Sequence, residues 1–222
     1  MNSPERRTDF YTVFHKGLRR RLFDLICATG ATDLGDGKAA AALGQRLDDL
    51  FALLELHAEV EETFVHPFYA KVAPELLAKL EGEHHAHDGQ ARQLRAEAAR
   101  ITGAGDVAKG LEFYRALVRF VADYLHHLDL EEASLPLLWE RVAEPELAQA
   151  FVSFQRSRTP AQLTMSWELM LPAMTPIERA EMAQAIATGA PPPVTALFRA
   201  SARAALDAGA LADLVGRVPA VA

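Results

Sequence analysis

The sequence predicts an all-α protein, an up-down-up-down four-helix bundle with additional C-terminal helices. Three observations carry this. Ala, Leu, Glu and Arg dominate the 222 residues, and all four are strong helix formers. No stretch alternates Val, Ile or Thr with polar residues as a half-buried strand would. Four long segments repeat apolar residues every three or four positions, the period that lays one stripe of a helix against a core.

The first segment runs from about Pro4 to Thr29 and stops at the turn-forming residues of Gly30–Gly37. The second runs from about Lys38 to Tyr69, with Pro67 disturbing its last turn, because proline has no N–H to donate. The third starts near Pro74 and ends at Gly103–Gly105; the fourth starts after Asp106, an N-cap residue type, and passes Trp139. Connections this short favour antiparallel neighbours, so residues 1–142 read as the bundle. After Pro145 shorter helical pieces begin at prolines: Pro145–Gln155, Pro160–Met170, Pro176–Ala187 and, past the Pro191–Pro193 run, an Ala-rich stretch from Val194. Proline is tolerated in a first turn, where its missing N–H had no partner in the helix. Residues 143–222 therefore read as a helical extension that packs on the bundle or on a second subunit, the latter giving a homodimer.

Composition removes several classes of function. A net charge of −7 argues against a nucleic-acid partner, which needs a basic face. No apolar run approaches the length that spans a bilayer, and the first residues lack the apolar stretch of a signal peptide. A single cysteine, Cys27, excludes an internal disulfide and fits a reducing compartment; it reads as a small apolar filler within a helix. The expectation is a soluble, cytoplasmic protein with no membrane partner.

The chemistry lies in the stripes. In the second segment the core positions are Leu43, Leu47, Leu50, Leu54, His57, Glu61, Phe64 and Phe68. In the fourth they are Phe113, Leu117, Phe120, Tyr124, His127, Glu131, Leu135 and Leu138. Each is apolar except for a histidine and a glutamate four residues apart, one turn along the same face. The first stripe reads Tyr11, His15, Leu18, Leu22, Leu25, and the third Leu77, Leu80, His84, His87, Ala91, Leu94, Ala98. Every long segment thus offers imidazole to the interior, and two offer carboxylate as well.

A lone His-x-x-x-Glu is usually a solvated surface pair. Two of them on apolar stripes, with histidines on the other two stripes, are a different matter, because an ionised carboxylate in a core costs several kcal/mol unless a charge or metal compensates it. Imidazole and carboxylate together suit iron, zinc or manganese, and facing helices are how bundles build two-metal sites. The candidate ligands are His15, His57, Glu61, His84, His87, His127 and Glu131. His66, His85 and His126 fall off the stripes and are expected at the surface or rim. Glu62 and Glu132 are expected to be solvated or to support the ligands from outside.

The segments HKGLRRRLFDLI, HAEVEETFVHP, EHHAHD and HHLDLEEASLPLL carry a resemblance over about residues 10 to 140. Together they resemble the hemerythrin-like, His-His-Glu cation-binding domain family. The resemblance implies a four-helix bundle with a non-haem di-iron centre that binds O2 or responds to oxygen, nitric oxide or peroxide. His15, His57, Glu61, His127 and Glu131 carry over by direct match. On the third helix, founding members place two histidines four apart, whereas His84 and His87 are three apart. The four-apart pairs here are Glu83/His87 and His84/Asp88. His84 fits the bacterial motif best; His87 is a second ligand or an outer donor, and Glu83 is an alternative ligand. On the fourth helix His126 competes with His127, which continues the stripe of Phe120 and Tyr124.

The cofactor expected is a pair of iron ions, with zinc or an empty site in a crystal grown without iron, since zinc outcompetes ferrous iron at such sites. The first functional expectation is a binding or sensing protein, not an enzyme, whose ligand at the metal is O2, NO or another small molecule. The alternatives are a di-iron oxidase or peroxide-consuming enzyme, with Tyr124 as a candidate proton donor, and an iron-handling or partner-binding structural protein. The C-terminal helices are expected to be packed and to supply no metal ligand, since no histidine follows His127.

Overall fold

The structure, a computed structural model, describes residues 7–101 and 107–222, so the N-cap expected at Asp106 lies outside the described residues. Among the described residues there is no strand. The helices are α1 (Thr12–Ala31), α2 (Gly37–Phe64), α3 (His66–Val72), α4 (Pro74–Ile101), α5 (Val107–Arg141), α6 (Glu144–Ser157), α7 (Pro160–Met170), α8 (Pro176–Gly189), α9 (Pro192–Ala205) and α10 (Ala208–Arg217). None is long and apolar enough to cross a membrane. Two compact units divide the chain: one holds Met1–Asp9 and Arg21–Phe154, the other Phe10–Arg20 and Gln155–Ala222.

In the first unit the stripes are the core. Leu43, Leu47, Leu50 and Leu54 on α2, Leu80, Ala91 and Leu94 on α4, and Phe113, Leu117, Phe120, Leu135 and Leu138 on α5 are all buried. Asp36 starts α2, its carboxylate accepting from the backbone N–H of Lys38 and Ala39 at 2.9 and 3.3 Å, which satisfies two of the helix's free donors. The second segment does not run on to Tyr69. It breaks at Val65, because Pro67 removes a helical hydrogen bond and its ring collides with the preceding turn. The short α3 then starts on a new phase, so Val65, His66 and Tyr69 are buried while Phe64 and Phe68 are only half-buried. The Tyr69 hydroxyl meets the Ser134 hydroxyl, and Ser134 donates to the Glu131 carbonyl at 2.8 Å, tying α3 to α5. Trp139 Nε1 donates to the Thr8 carbonyl at 2.8 Å, and Thr8 is held in turn by the Glu144 carboxylate.

The second unit has its own core, built on Trp167, Leu171, Met174, Ala183, Phe198, Ala202, Leu206 and Leu214. Trp167 and Phe198 meet edge to face with centroids 5.3 Å apart, joining α7 to α9. Thr159 with Gln162 and Thr175 with Glu178 form capping boxes, each followed by a proline in the first turn. The Ala-rich stretch after Val194 is not one helix: it ends at Leu206, and Asp207 caps α10 by accepting from Ala210 N–H at 2.8 Å. The start of α1 belongs to this unit. Val13 packs on its core, Lys16 pairs with Glu178, and Gly17 lies against Leu169. Cys27, further along α1, is exposed and so does not fill a core.

A Cβ on Gly17 would come within 2.7 Å of the Leu169 side chain and 3.0 Å of its carbonyl oxygen. The backbone of α7 cannot yield as a side chain tip can. Gly17→Ala is therefore expected to lower stability by about 1–3 kcal/mol in denaturant unfolding. Gly44→Ala and Gly82→Ala, inside helices with open space around the new methyl, should instead raise it by up to about 1 kcal/mol.

Candidate metal centre

The fold brings Glu61 and Glu131 together from α2 and α5, both nearly inaccessible to solvent. One ligand atom each from Glu61, His84, His127 and Glu131 lies within 4.8 Å of the others, and the same holds for His57, Glu61 and Glu131. The two carboxylates thus belong to both groups. Every histidine among them turns Nε2 inward. His57 Nε2 is 3.2 Å from Glu61, His84 Nε2 is 3.4 Å from Glu61 and 3.5 Å from Glu131, and His127 Nε2 is 2.9 Å from Glu131.

The outward nitrogens are held from behind. His127 Nδ1 lies 2.9 Å from Glu83, and His84 Nδ1 lies 3.3 Å from Glu62. A carboxylate on the far nitrogen fixes the ring and its tautomer, leaving Nε2 as the electron-pair donor and making it more basic. Glu83, an alternative ligand from spacing, takes this outer place. Glu62 does the same from an exposed position, and Glu132 is half-buried.

Electrostatics reflect the crowding. Burial alone would raise the Glu131 carboxyl, but the imidazoles of His127 and His84 hold it well below the usual carboxylate range. Burial alone would depress His84, yet Glu131 and Glu61 push it up to about 10. His127 is raised likewise: burial opposes the shift, and Glu131 and Glu83 drive it. Burial raises the Tyr124 phenol well above its ordinary value, with Glu131 and Glu61 adding to the effect.

The remaining histidines are placed as follows. His85 and His126 are exposed, as expected. His66 is not at the surface: it is 3% exposed and stacks on His84, with centroids 5.4 Å apart and planes at 16°. The break at Val65 turned it inward, and a Pro one residue beyond a histidine was the available signal. His87 is buried beside Tyr124 and joins neither ligand group. His15 is fully buried on the part of α1 that belongs to the second unit, its ring 5.2 Å from Tyr11.

The donor set decides between a cation and a plain ion-pair network. Buried carboxylates paired only with imidazolium must offset a desolvation cost of several kcal/mol per ion. Converging nitrogen and oxygen lone pairs, with second carboxylates steadying the rings, are instead what a transition metal requires. The residues present fit such an ion.

Comparison with curated proteins and with solved structures gave no match. The family model described as Hemerythrin HHE cation binding domain matches residues 7–138, a span that includes α2, α3, α4 and the inward-facing residues of α5. That span is more than half of the 222 residues, and the chain belongs to the hemerythrin HHE cation-binding family.

Proposed function

We propose that this chain is a non-haem di-iron protein that binds or senses O2, NO or peroxide. The observation that carries the reading is the sharing of Glu61 and Glu131 between two groups of ligand atoms. One ion would take Glu61, His84, His127 and Glu131; the other would take His57 with the same two carboxylates. His15 enters the set as the first-helix ligand on its burial and on its place within the family match. In this reading α1, α2, α4 and α5 are the helices of the family's up-down-up-down bundle. A bound iron pair would supply one-electron redox chemistry toward a small ligand. The chain's own residues orient the imidazoles through Glu62 and Glu83, and surround the site with Phe120, Tyr124 and Leu54. Binding is favoured over turnover of an organic substrate because a cavity beside His84, about 10 Å³, has room only for a water-sized molecule.

Protein made with ample iron and purified anaerobically should carry two iron ions per chain. Elemental analysis finding no metal, or a single zinc, would sink the proposal. Glu61→Ala and Glu131→Ala should each lose metal, whereas Glu132→Ala should keep it. Glu62→Ala and Glu83→Gln should retain iron on purification but release it to a chelator about 10–100-fold more readily, the usual cost of removing an outer carboxylate.

The pH dependence has opposite signs in the two forms. Without metal, His84 is raised from 6.5 to about 10, so its contribution to stability is complete below 6.5 and is lost as pH rises toward 10. Metal must displace that proton, so metal affinity should rise with pH over the same range. Melting temperatures of the ion-free and iron-loaded protein should therefore diverge as pH increases. Calorimetry in buffers of different ionisation heat should show proton release on binding.

A further inference from the structure

His66 opens α3, is buried, and joins neither ligand group. Its ring lies against that of His84, with the planes at 16°. Both of its ring nitrogens are buried and without a hydrogen-bond partner among the described residues. A neutral imidazole has one N–H to donate and one lone pair to give. Leaving both unmet in a core is unfavourable, so the ring calls for a partner. Stacking alone does not explain it, because a phenylalanine would stack as well and bury no polar atom.

A carboxylate oxygen of Glu81 on α4 lies 4.0 Å from His66 Nδ1. That is too far for a hydrogen bond, yet two ligands bonded to one divalent ion at about 2.0–2.2 Å each can stand about 4 Å apart. The Glu81 side chain is more than half exposed, and so is that of Glu62, whose carboxylate meets His84 Nδ1. Neither carboxylate is paired with a lysine or arginine among the described residues. Lys79 on α4 turns to Glu83 instead. Glu55, the exposed carboxylate at the cavity beside His84, is by contrast already held by Arg95 at 2.6 Å. Negative charge therefore meets solvent at Glu62 and Glu81 with no cation of the chain's own to hold. His66 comes within reach of Glu81 on one side and stacks on His84 on the other. Past that ring, His84 Nε2 faces Glu61 and Glu131 at 3.4 and 3.5 Å.

We propose that His66 and Glu81 form a port for a divalent cation, a transient site through which the ion passes between solvent and the carboxylates Glu61 and Glu131. This rests on the metal centre proposed above. The exposed carboxylates of Glu81 and Glu62 draw a hydrated cation to the rim of the helices. His66 then offers a nitrogen in exchange for water, so that the ion is never bare on its way past the His84 ring. A site that keeps its ion closes four ligands around it, whereas two side chains leave the rest to water. The port is therefore a waypoint and not a resting place. A waypoint lowers the barrier in both directions and leaves the end states alone, so it sets rates and not affinity.

The test uses the full-length chain, stripped of metal and mixed anaerobically with ferrous iron. Uptake is followed in time, release is followed after adding a chelator, and iron per chain is measured at the end. His66→Phe keeps a flat ring against His84 and removes both nitrogens, His66→Gln restores a donor and an acceptor, and Glu81→Gln removes the exposed charge. Glu112→Gln, at an exposed carboxylate about four turns along α5 from His127, is the control. All four should hold as much iron per chain as the unmodified protein. Glu81→Gln should slow uptake about tenfold at low salt, and less as salt rises. His66→Phe should slow uptake and release by one common factor at least as large, leaving affinity unchanged, and His66→Gln should recover part of the rate. Glu112→Gln should load at the unmodified rate. Unmodified rates in His66→Phe would overturn the proposal. So would a fall in its affinity or iron content, which would make His66 a resident ligand or a structural support. If His66→Phe fails to fold, Glu81→Gln decides: uptake no slower than in Glu112→Gln overturns the port. An unmodified chain that takes up no iron fails the metal centre and the port together, whereas normal iron content with unmodified rates in His66→Phe fails the port alone.

Discussion

Two carboxylates buried between α2 and α5 constrain everything around them. Glu61 and Glu131 are 3% and 0% exposed, and an ionised carboxylate so placed is costly unless positive charge faces it. A lysine or arginine would fill the core with a long aliphatic stem. Imidazole brings the same compensation in a flat, compact group that packs against Phe and Tyr. Hence the interior histidines of α2, α4 and α5; the rings of His84, His87 and His127 meet one another and the aromatic residues of α5 at centroid distances between 4.7 Å and 6.0 Å. The same imidazoles that neutralise the carboxylates by holding protons can give those protons up and present lone pairs to a cation. The ion-free and metal-holding states therefore call for the same residues in the same places.

Precision at the centre comes from outside it. A histidine on a helix keeps freedom about its ring torsion, and an apolar neighbour does not choose between Nδ1 and Nε2. Glu83 on α4 reaches His127 on α5, and Glu62 on α2 reaches His84 on α4, so each contact also crosses between helices. Steadying a ring and fixing the distance between two helices become one interaction. The Tyr69–Ser134 contact extends this to α3, since Ser134 in turn donates to the backbone of Glu131. A change at the α3 break would be felt at the carboxylate through two hydrogen bonds.

The helical stripes were legible in the sequence because burial on a helix has a fixed angular period. Tyr11 just before α1, His15, Leu18, Leu22 and Leu25 on it, and the stripe from Phe113 to Leu138 on α5, are buried residue for residue. Both His-x-x-x-Glu pairs were legible for the same reason. What the period could not give is anything that depends on a change of phase or on the direction of a ring. His66 lay off the stripe of an uninterrupted helix and is buried only because the chain restarts after Val65. The role of Glu83 as support for His127 depends on which nitrogen turns outward, and spacing alone left it as a rival ligand. The grouping of Phe10–Arg20 with the C-terminal helices had a single local signal, a glycine at Gly17 inside an apolar stripe, and a lone glycine does not name its neighbour.

Of the eight histidines, the seven on α2 to α5 sort by angle and by helix phase into distinct kinds of work. His57, His84 and His127 face the carboxylates, with Nε2 3.2, 3.4 and 2.9 Å from one of them. His85 and His126, each one residue from a buried partner, are rotated about 100° away and are hydrated. His66 and His87 fall between these limits, buried yet held back from the carboxylates, and burial pulls both below the ordinary imidazole range, His87 to about 4. A neutral imidazole keeps a donor and an acceptor available a short distance from the metal-binding groups. A spacing of three residues on α4, from His84 to His87, is enough to turn the same side chain from the carboxylates toward the ring of Tyr124.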